Sequence, residues 1–327
     1  MTKKPYFLIT IDTEGDGTNP ENARFLPRFQ KLCEQFLFKP TYLTNYEMAT
    51  DKEYQNFAHD IIKRNQGEVG THCHAWNNPP IYHISENDFA CCTYLIDYPT
   101  NILREKFIYL HKLLEDTFSV AMKSHRSGRW ALNAEYIQLL DELGYWVDCS
   151  VTPHQNWTFA SGGAPKNLGG KGGTDYSHFP ERAYFMDTSN IHLPGNSSLL
   201  QVPMSVRPKY TKWIQAIKSG ADKIRGKNHP VSTVWLRPKE GGNAHQMCQL
   251  AQKIINEDSD YVEFMIHSSE LMPNINQTFK SDVAIDGLYR DLEKLFTFLS
   301  DKTQGATLSE YYLAKCKEEN KTENNIK

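Results

Sequence analysis

The chain has 327 residues, of which 39% are hydrophobic and 12% aromatic, enough to bury the core of one large α/β domain or two smaller ones. Lys and Arg total 36 against 39 Asp and Glu, a net charge of −3, so nothing indicates a nucleic-acid partner. No apolar run approaches the ~18–20 residues of a membrane span or forms a signal segment. The seven cysteines are scattered without a CxxC pair, which is typical of reduced thiols in a cytoplasmic protein.

Strand and helix patterns alternate along the first half of the chain. A β-rich run at 6–11 ends in an acidic stretch at 12–16, and a buried strand at 68–71 runs into a pair of histidines. The other predicted elements are helix 27–37, strand 40–44, helix 54–65, helix 102–118, a strand end at 122–126, helix 134–143 and strand 146–150. Strand, loop and helix in repeated order predict a parallel sheet or a barrel.

The alternation breaks at residue 153. Residues 160–173 hold six glycines but no GxxxxGK[ST] phosphate loop, so we expect an irregular insertion at about 154–193 that forms a rim or lid. Strands at 199–202, 232–236 and 261–266 and helices at 243–256, 285–299 and from 309 onward follow. Without a repeat or a linker, the sequence predicts a single domain over 1–316 and a polar C-terminal tail over 317–327.

Two histidines form the first candidate for chemistry. His72 and His74 follow a predicted strand two residues apart, and side chains on extended backbone alternate, so both point the same way. Cys73 then faces the opposite side. Neutral imidazole is the commonest protein ligand for a transition metal, so the pair is a candidate metal site.

Four other predicted strands also end in polar groups. They are Asp12 with Glu14 after the first strand, then Arg126, Asp148 and His267. Because barrels and doubly wound sheets carry their active sites at the carboxyl ends of parallel strands, we expect all these groups to meet at one site.

The same stretches resemble a known family. The blocks ITIDTEGD, GEVGTHCHAW, SHRSGRW, LGYWVDCSVTP and FMIHSSEL are similar, in order, to the five motifs of the NodB-homology polysaccharide deacetylases, carbohydrate esterase family 4. The likeness is greatest to the WalW-like branch, which DYSHFPERAYF, QVPMS and VWLRP also resemble, and it runs over about residues 5–310. It implies a distorted (β/α) barrel of about seven parallel strands. It also implies one divalent metal, with zinc favoured, and removal of N-acetyl groups from sugars.

The resemblance also implies catalytic roles. Asp12 matches the general base and Arg126 the residue that orients it. His267 matches the general acid, and Asp148 the carboxylate that tunes that histidine. The aromatic residues Trp76, Trp130 and either Tyr145 or Trp146 would wall the sugar site, and Arg129 is either structural or substrate-facing.

The metal ligands depart from the family pattern at two positions. Thr13 stands where the family has its acidic ligand, so that role passes to Glu14 or, as an alternative, to Asp16. Trp76 stands where the family has its second histidine, so His74 would join His72 as a ligand. Three functions therefore stay open: an N-acyl sugar deacetylase, an amidohydrolase that cleaves a non-sugar amide or imide, and a catalytically silent glycan-binding member.

Overall fold

The computed structural model describes residues 3–326 except 16–20, 161, 165–169, 171, 211–213, 215–230 and 275–277. Its strands are β1 (Tyr6–Thr13), β2 (Thr41–Thr44), β3 (Glu68–Cys73), β4 (Ser124–Ser127), β5 (Val147–Asp148), β6 (Tyr184–Phe185), β7 (Leu200–Gln201), β8 (Val206–Pro208), β9 (Thr233–Trp235), β10 (Tyr261–His267) and β11 (Gln304–Ala306). Nearly all the strands of the main sheet are short and buried, as parallel strands covered on both faces are.

Helices connect the strands, and most of them cover the outer face of the sheet. They are α1 (Leu26–Gln35), α2 (Tyr46–Thr50), α3 (Lys52–Lys63), α4 (Asp88–Cys91), α5 (Thr100–Phe118), α6 (Ala134–Glu142), α7 (Ala244–Asn256), α8 (Asp282–Ser300) and α9 (Leu308–Ile326). Short 3₁₀ turns lie at Glu21–Phe25, Leu95–Asp97, Gly128–Trp130 and Ser268–Leu271. Across the described ranges, no helix combines the length and the apolar character needed to cross a membrane.

The main sheet is parallel and curled. Its order is β10-β1-β2-β3-β4-β5-β7-β6, with β11 also paired to β1, and β6 is its one antiparallel member in the described part of the chain. The antiparallel pair β8–β9 bridges toward β10, because Glu263 N–H donates to Ser205 Oγ and Met265 N–H donates to the Leu236 carbonyl. The result is a half-barrel surrounded by helices, which confirms the predicted single-domain distorted (β/α) barrel.

Alternation along each strand divides the core into two parts. Alternate side chains of β1 and β10 pack against the helices, among them Phe7, Ile9, Ile11, Val262 and Phe264. The intervening side chains face the inside of the curled sheet, where Leu8, Leu43, Val147 and Leu200 form a second apolar cluster. Toward the carboxyl end of the strands, the inward positions become polar, and this is where the candidate site lies.

Candidate active site at the carboxyl edge of the sheet

The strand register brings the predicted site residues together. Asp12 pairs in register with His267 across β1 and β10, and His72 pairs with Arg126 across β3 and β4. A cavity of about 390 Å³ opens at this edge. It is lined by Asp12, Glu14, Gly15, Glu47, His72, His74, Trp76, Phe89, Tyr94, Arg129, Trp130, Trp157 and His267.

Glu14, His72 and His74 converge on one point of this cavity. Glu14 Oε2 lies 2.9 Å from His74 Nε2 and 3.4 Å from His72 Nε2, and the two imidazole Nε2 atoms are 3.0 Å apart. Within the described ranges, this is the one cluster of three His, Cys, Asp or Glu ligand atoms close enough to share an ion. Asp16, the alternative acidic ligand, lies outside the described residues.

The three side chains fit a divalent cation. Ligand atoms around a tetrahedral zinc are separated by roughly 3.3 Å, given Zn–N bonds of about 2.0–2.1 Å, and the three observed separations bracket that value. His72 Nδ1 lies 2.9 Å from the Arg126 carbonyl, which accepts the Nδ1 proton and leaves the Nε2 lone pair directed at the cavity. Burial would raise the pKa of Glu14, but the adjacent His74 and His72 hold it well below its usual value. The carboxylate is therefore ionised, as a ligand must be.

Arg126 links Asp12 to a second buried carboxyl group. Its Nη1 donates to Asp12 Oδ1 at 2.7 Å, and its Nη2 donates to Glu263 Oε1 at 2.5 Å. Nη2 also donates to Thr10 Oγ1, and neither the guanidinium nor Glu263 is exposed to solvent. Burial would raise the pKa of Asp12, but Arg126 outweighs it and the net pKa is lowered. Asp12 is thus an ionised, fixed carboxylate beside the three candidate ligands.

His267 completes the polar side of the cavity. Its Nε2 lies 3.8 Å from Asp12 Oδ2 and 3.9 Å from Glu14 Oε1. Its Nδ1 lies 3.3 Å from Glu270 Oε2, and Glu270 in turn accepts from Arg237 Nη2 at 2.9 Å. Burial would lower the pKa of His267, but Glu270 and the nearby acids outweigh it and raise the pKa. Protonated His267 is therefore favoured at this position.

The expected pairing of Asp148 with His267 is wrong. Asp148 Oδ1 lies 2.6 Å from His125 Nδ1, whose Nε2 lies 2.9 Å from the Tyr136 hydroxyl. The flanking residues Val147 and Cys149 face the inside of the sheet, so Asp148 points outward to the helix layer by the period-2 rule. His125 and Asp148 form a fully buried structural cluster, and the carboxylate beside His267 is Glu270.

Aromatic side chains form the remaining walls. Trp76 stacks on His74 with ring centroids 4.3 Å apart, and the cavity lining includes Trp76 and Trp130 as expected. Tyr145 and Trp146 do not line it. Tyr145 is buried against Phe107 and His111, and Trp146 stacks on Tyr312 beside the apolar cluster inside the sheet.

Sequence patterns did not indicate several residues of the site. Glu263 and Glu270 lie beside motif residues but were not recognised, although a glutamate inside the apolar run at 261–266 was a usable signal. The wall residues Glu47, Phe89, Tyr94 and Trp157 come from loops and short helices, where no periodic pattern marks them.

Comparisons with solved structures agree on the fold. Family models and curated protein sequences give no match. Among solved structures, a predicted polysaccharide deacetylase from Mycobacterium smegmatis has a TM-score of 0.54 at 12% identity, over 98% of this chain and 93% of that chain. A predicted glycoside hydrolase or deacetylase from Parabacteroides distasonis has a TM-score of 0.60 at 11% identity, over 94% and 70%.

A third similar structure belongs to an enzyme of another name. The 4-alpha-glucanotransferase of Thermococcus litoralis has a TM-score of 0.52 at 14% identity, over 96% of this chain and 41% of that chain. At these identities the likenesses establish a shared distorted (β/α) barrel, and a fold of this kind hosts more than one activity. The shared fold therefore does not by itself define the function of this chain.

Proposed function

We propose that this chain is a metal-dependent hydrolase of the NodB-homology polysaccharide deacetylase family, carbohydrate esterase family 4, in its WalW-like branch. It would remove an N-acetyl or other acyl group from a sugar or glycan. One observation carries the proposal: the candidate ligands Glu14, His72 and His74 converge beside a buried Asp12–Arg126 pair in a single cavity. All seven cysteines are free thiols, which supports a cytoplasmic location.

The ligand set differs from the usual family pattern in a self-consistent way. His74 lies where Glu14 and His72 can share an ion with it, while Trp76 stacks on its ring instead of supplying a ligand. Burial outweighs the neighbouring Glu14 and lowers the pKa of His74, which favours the neutral imidazole that binds a metal. A divalent metal, zinc by preference, would supply Lewis acidity and an acidified water at this point.

The chain's own residues would carry the proton transfers. Asp12, held ionised by Arg126, would accept the proton of the attacking water as general base. His267, held protonated by Glu270, would donate a proton to the leaving amine. Trp76 and Trp130 would pack against the sugar face and exclude water from the reacting groups.

The proposal is tested by metal content and acetate release together. Purified protein should hold a divalent metal near one equivalent, and His72→Ala and Glu14→Ala should both lose it. His245→Ala is the matched control, because His245 is an exposed histidine on α7. A panel of N-acetyl sugars and cyclic amides then reports the substrate. No bound metal after reconstitution, in a folded protein, would overturn the hydrolase proposal.

A glycan-binding role without turnover is the second candidate. The replacement of a family ligand by Trp76, together with the aromatic walls at Trp130 and Trp157, favours it. Asp12→Asn discriminates the two, since it removes the base but leaves the three ligands and the walls in place. An enzyme would lose acetate release and keep sugar binding, whereas a binding protein would show no acetate release before or after the change.

A further inference from the structure

One wall of the cavity carries a permanent positive charge. Of the described residues that line it, Arg129 is the one Lys or Arg, and the lining also includes the acids Asp12, Glu14 and Glu47. Arg129 is exposed to solvent, and a guanidinium keeps its charge at any physiological pH. Beside the imidazoles of the lining, Arg129 is therefore the permanently charged, solvent-exposed cation of this cavity.

The backbone fixes Arg129 at this wall. Arg129 has φ 58° and ψ 20°, and Trp130 has φ 62°, so two successive non-glycine residues adopt the left-handed conformation, which is uncommon for them. The preceding Gly128 makes the turn fit against β3: a Cβ there would lie 2.4 Å from the Cys73 carbonyl oxygen and 2.7 Å from His74 Cδ2. The turn that carries Arg129 is thereby locked against the candidate metal ligands.

Two neighbours define where the guanidinium lies. Burial raises the pKa of Tyr94, and the adjacent Arg129 opposes this shift, which places the cation beside the phenol in the same wall. A Cβ at Gly162 would lie 3.2 Å from Arg129 Nη2, so the loop at Gly162 borders the guanidinium. The guanidinium carries five N–H donors, more than its interaction with Tyr94 uses, and the remaining donors suit an anionic oxygen.

We propose that Arg129 binds a carboxylate or phosphate group of the substrate, which is therefore an N-acylated sugar acid or sugar phosphate. This inference rests on the proposed function for its acyl-sugar part. In the metal-loaded protein, Asp12 is paired with Arg126 and Glu14 would be bound to the metal, so the solvent-exposed cation left to pair with a substrate anion is Arg129. A planar guanidinium accepts such a group through two parallel hydrogen bonds.

The test uses matched sugars that differ only in charge. Binding of N-acetylglucosamine is compared by calorimetry with that of its 6-carboxylate, its 6-phosphate and its 1-phosphate, on the metal-loaded protein. We expect at least one anionic sugar to bind roughly tenfold tighter than the neutral sugar, as a charge-assisted bidentate contact permits. Arg129→Gln should abolish this preference, and Arg129→Lys should retain part of it. The carboxylate and phosphate arms identify the anion.

Controls separate Arg129 from other cations. Lys239→Gln removes an exposed cation from the neighbouring cavity, which Trp130 and Trp157 also line, and it should keep the preference. Free phosphate and acetate, titrated into the metal-loaded and the metal-free protein, separate anion binding at the metal from binding at Arg129, and only the second should be lost in Arg129→Gln. Matching thermal unfolding of the variants and the wild type shows that each is folded.

Two results would overturn the inference: no preference for any anionic sugar in the wild type, or a preference that survives Arg129→Gln. Binding needs no turnover, so the outcome is distinguishable from failure of the proposed function. An anion preference lost with Arg129→Gln, but without acetate release from any sugar, would uphold the inference and reject the hydrolase. Rapid deacetylation of neutral sugars with no anion preference would support the hydrolase and reject the role of Arg129.

Discussion

Glu270 contacts both the main chain and the side chain of His267, which lies three residues earlier in the chain. Its Oε2 accepts the main-chain N–H of His267 at 2.9 Å and lies 3.3 Å from the imidazole Nδ1. Burial would raise the pKa of Glu270, but His267 and Arg237 outweigh it and lower the pKa to about 2. Glu270 is therefore a fixed anion at neutral pH, and it stabilises the protonated imidazole next to it.

The first prediction concerns Glu270→Gln. Loss of the carboxylate charge lowers the pKa of His267, so the alkaline limb of the pH profile of kcat should move to lower pH. At pH 8 we expect kcat to fall by roughly tenfold to a hundredfold, within the range assigned to a general acid. Asp148→Asn is the control, because Asp148 has no contact with His267. It should leave the alkaline limb in place, and a shift of that limb in Asp148→Asn would contradict our assignment.

The second prediction concerns Glu263 and stability. Burial raises its pKa from 4.5 to about 7, against the opposing effects of Arg126 and Thr10. An acid with a raised pKa in the folded state binds its proton more tightly when folded, so its contribution to the unfolding free energy falls as pH rises from 4.5 to about 7. Glu263→Gln removes the ionisable group and with it this pH-dependent loss of unfolding free energy. Relative to the wild type, the variant should gain up to about 3 kcal/mol between pH 4 and pH 8.

Urea unfolding at a series of pH values measures this difference. Glu293→Gln, on the exposed side of α8, is the control for the loss of one surface carboxylate. A difference in unfolding free energy between Glu263→Gln and wild type that stays constant from pH 4 to pH 8 would show that Glu263 does not change its proton affinity on folding.

The third prediction compares the effects of His74 and its neighbour Cys73 on metal binding. His74→Ala should weaken metal binding by about a hundredfold or more, since even residues behind the ligands typically change metal affinity 10–100-fold. Cys73→Ala should leave it unchanged, because Cys73 faces the helix layer and burial raises the pKa of its thiol to about 12. Competition with a chromophoric chelator measures both affinities. Equal loss in the two variants would mean that a general disturbance of β3, rather than the imidazole, accounts for the effect.

The fourth prediction distinguishes the outward cluster from the cavity. Tyr136→Phe removes the partner of His125 Nε2 in a fully buried setting. We expect a loss of about 1–3 kcal/mol in unfolding free energy, the cost of an unsatisfied buried polar group. Below the unfolding temperature, kcat should stay within twofold of the wild type, because the cluster lies on the other face of the sheet. A large fall in kcat without loss of stability would place this cluster in the catalytic machinery.

Short-range patterns determined the strands and the residues at their ends. Apolar runs such as 6–11 and 68–71 end in polar groups, and the parallel arrangement brings those ends to one edge. For this reason the barrel was predictable, and so was the meeting of Asp12, Glu14, His72, His74, Arg126 and His267 at one edge. Period 2 alone indicated that His72 and His74 share a face and that Cys73 does not.

Tertiary structure decided which of these groups become partners. Asp148 stands at a strand end like the others, but the parity of β5 turns it toward Tyr136 and His125, away from the cavity. Glu263 and Glu270 acquire their roles only because β4 and the segment after β9 bring Arg126 and Arg237 against β10. The face and register of short buried strands, and the packing of loops such as the one that holds Tyr94, depend on contacts between residues distant in sequence. Local sequence patterns do not determine those contacts.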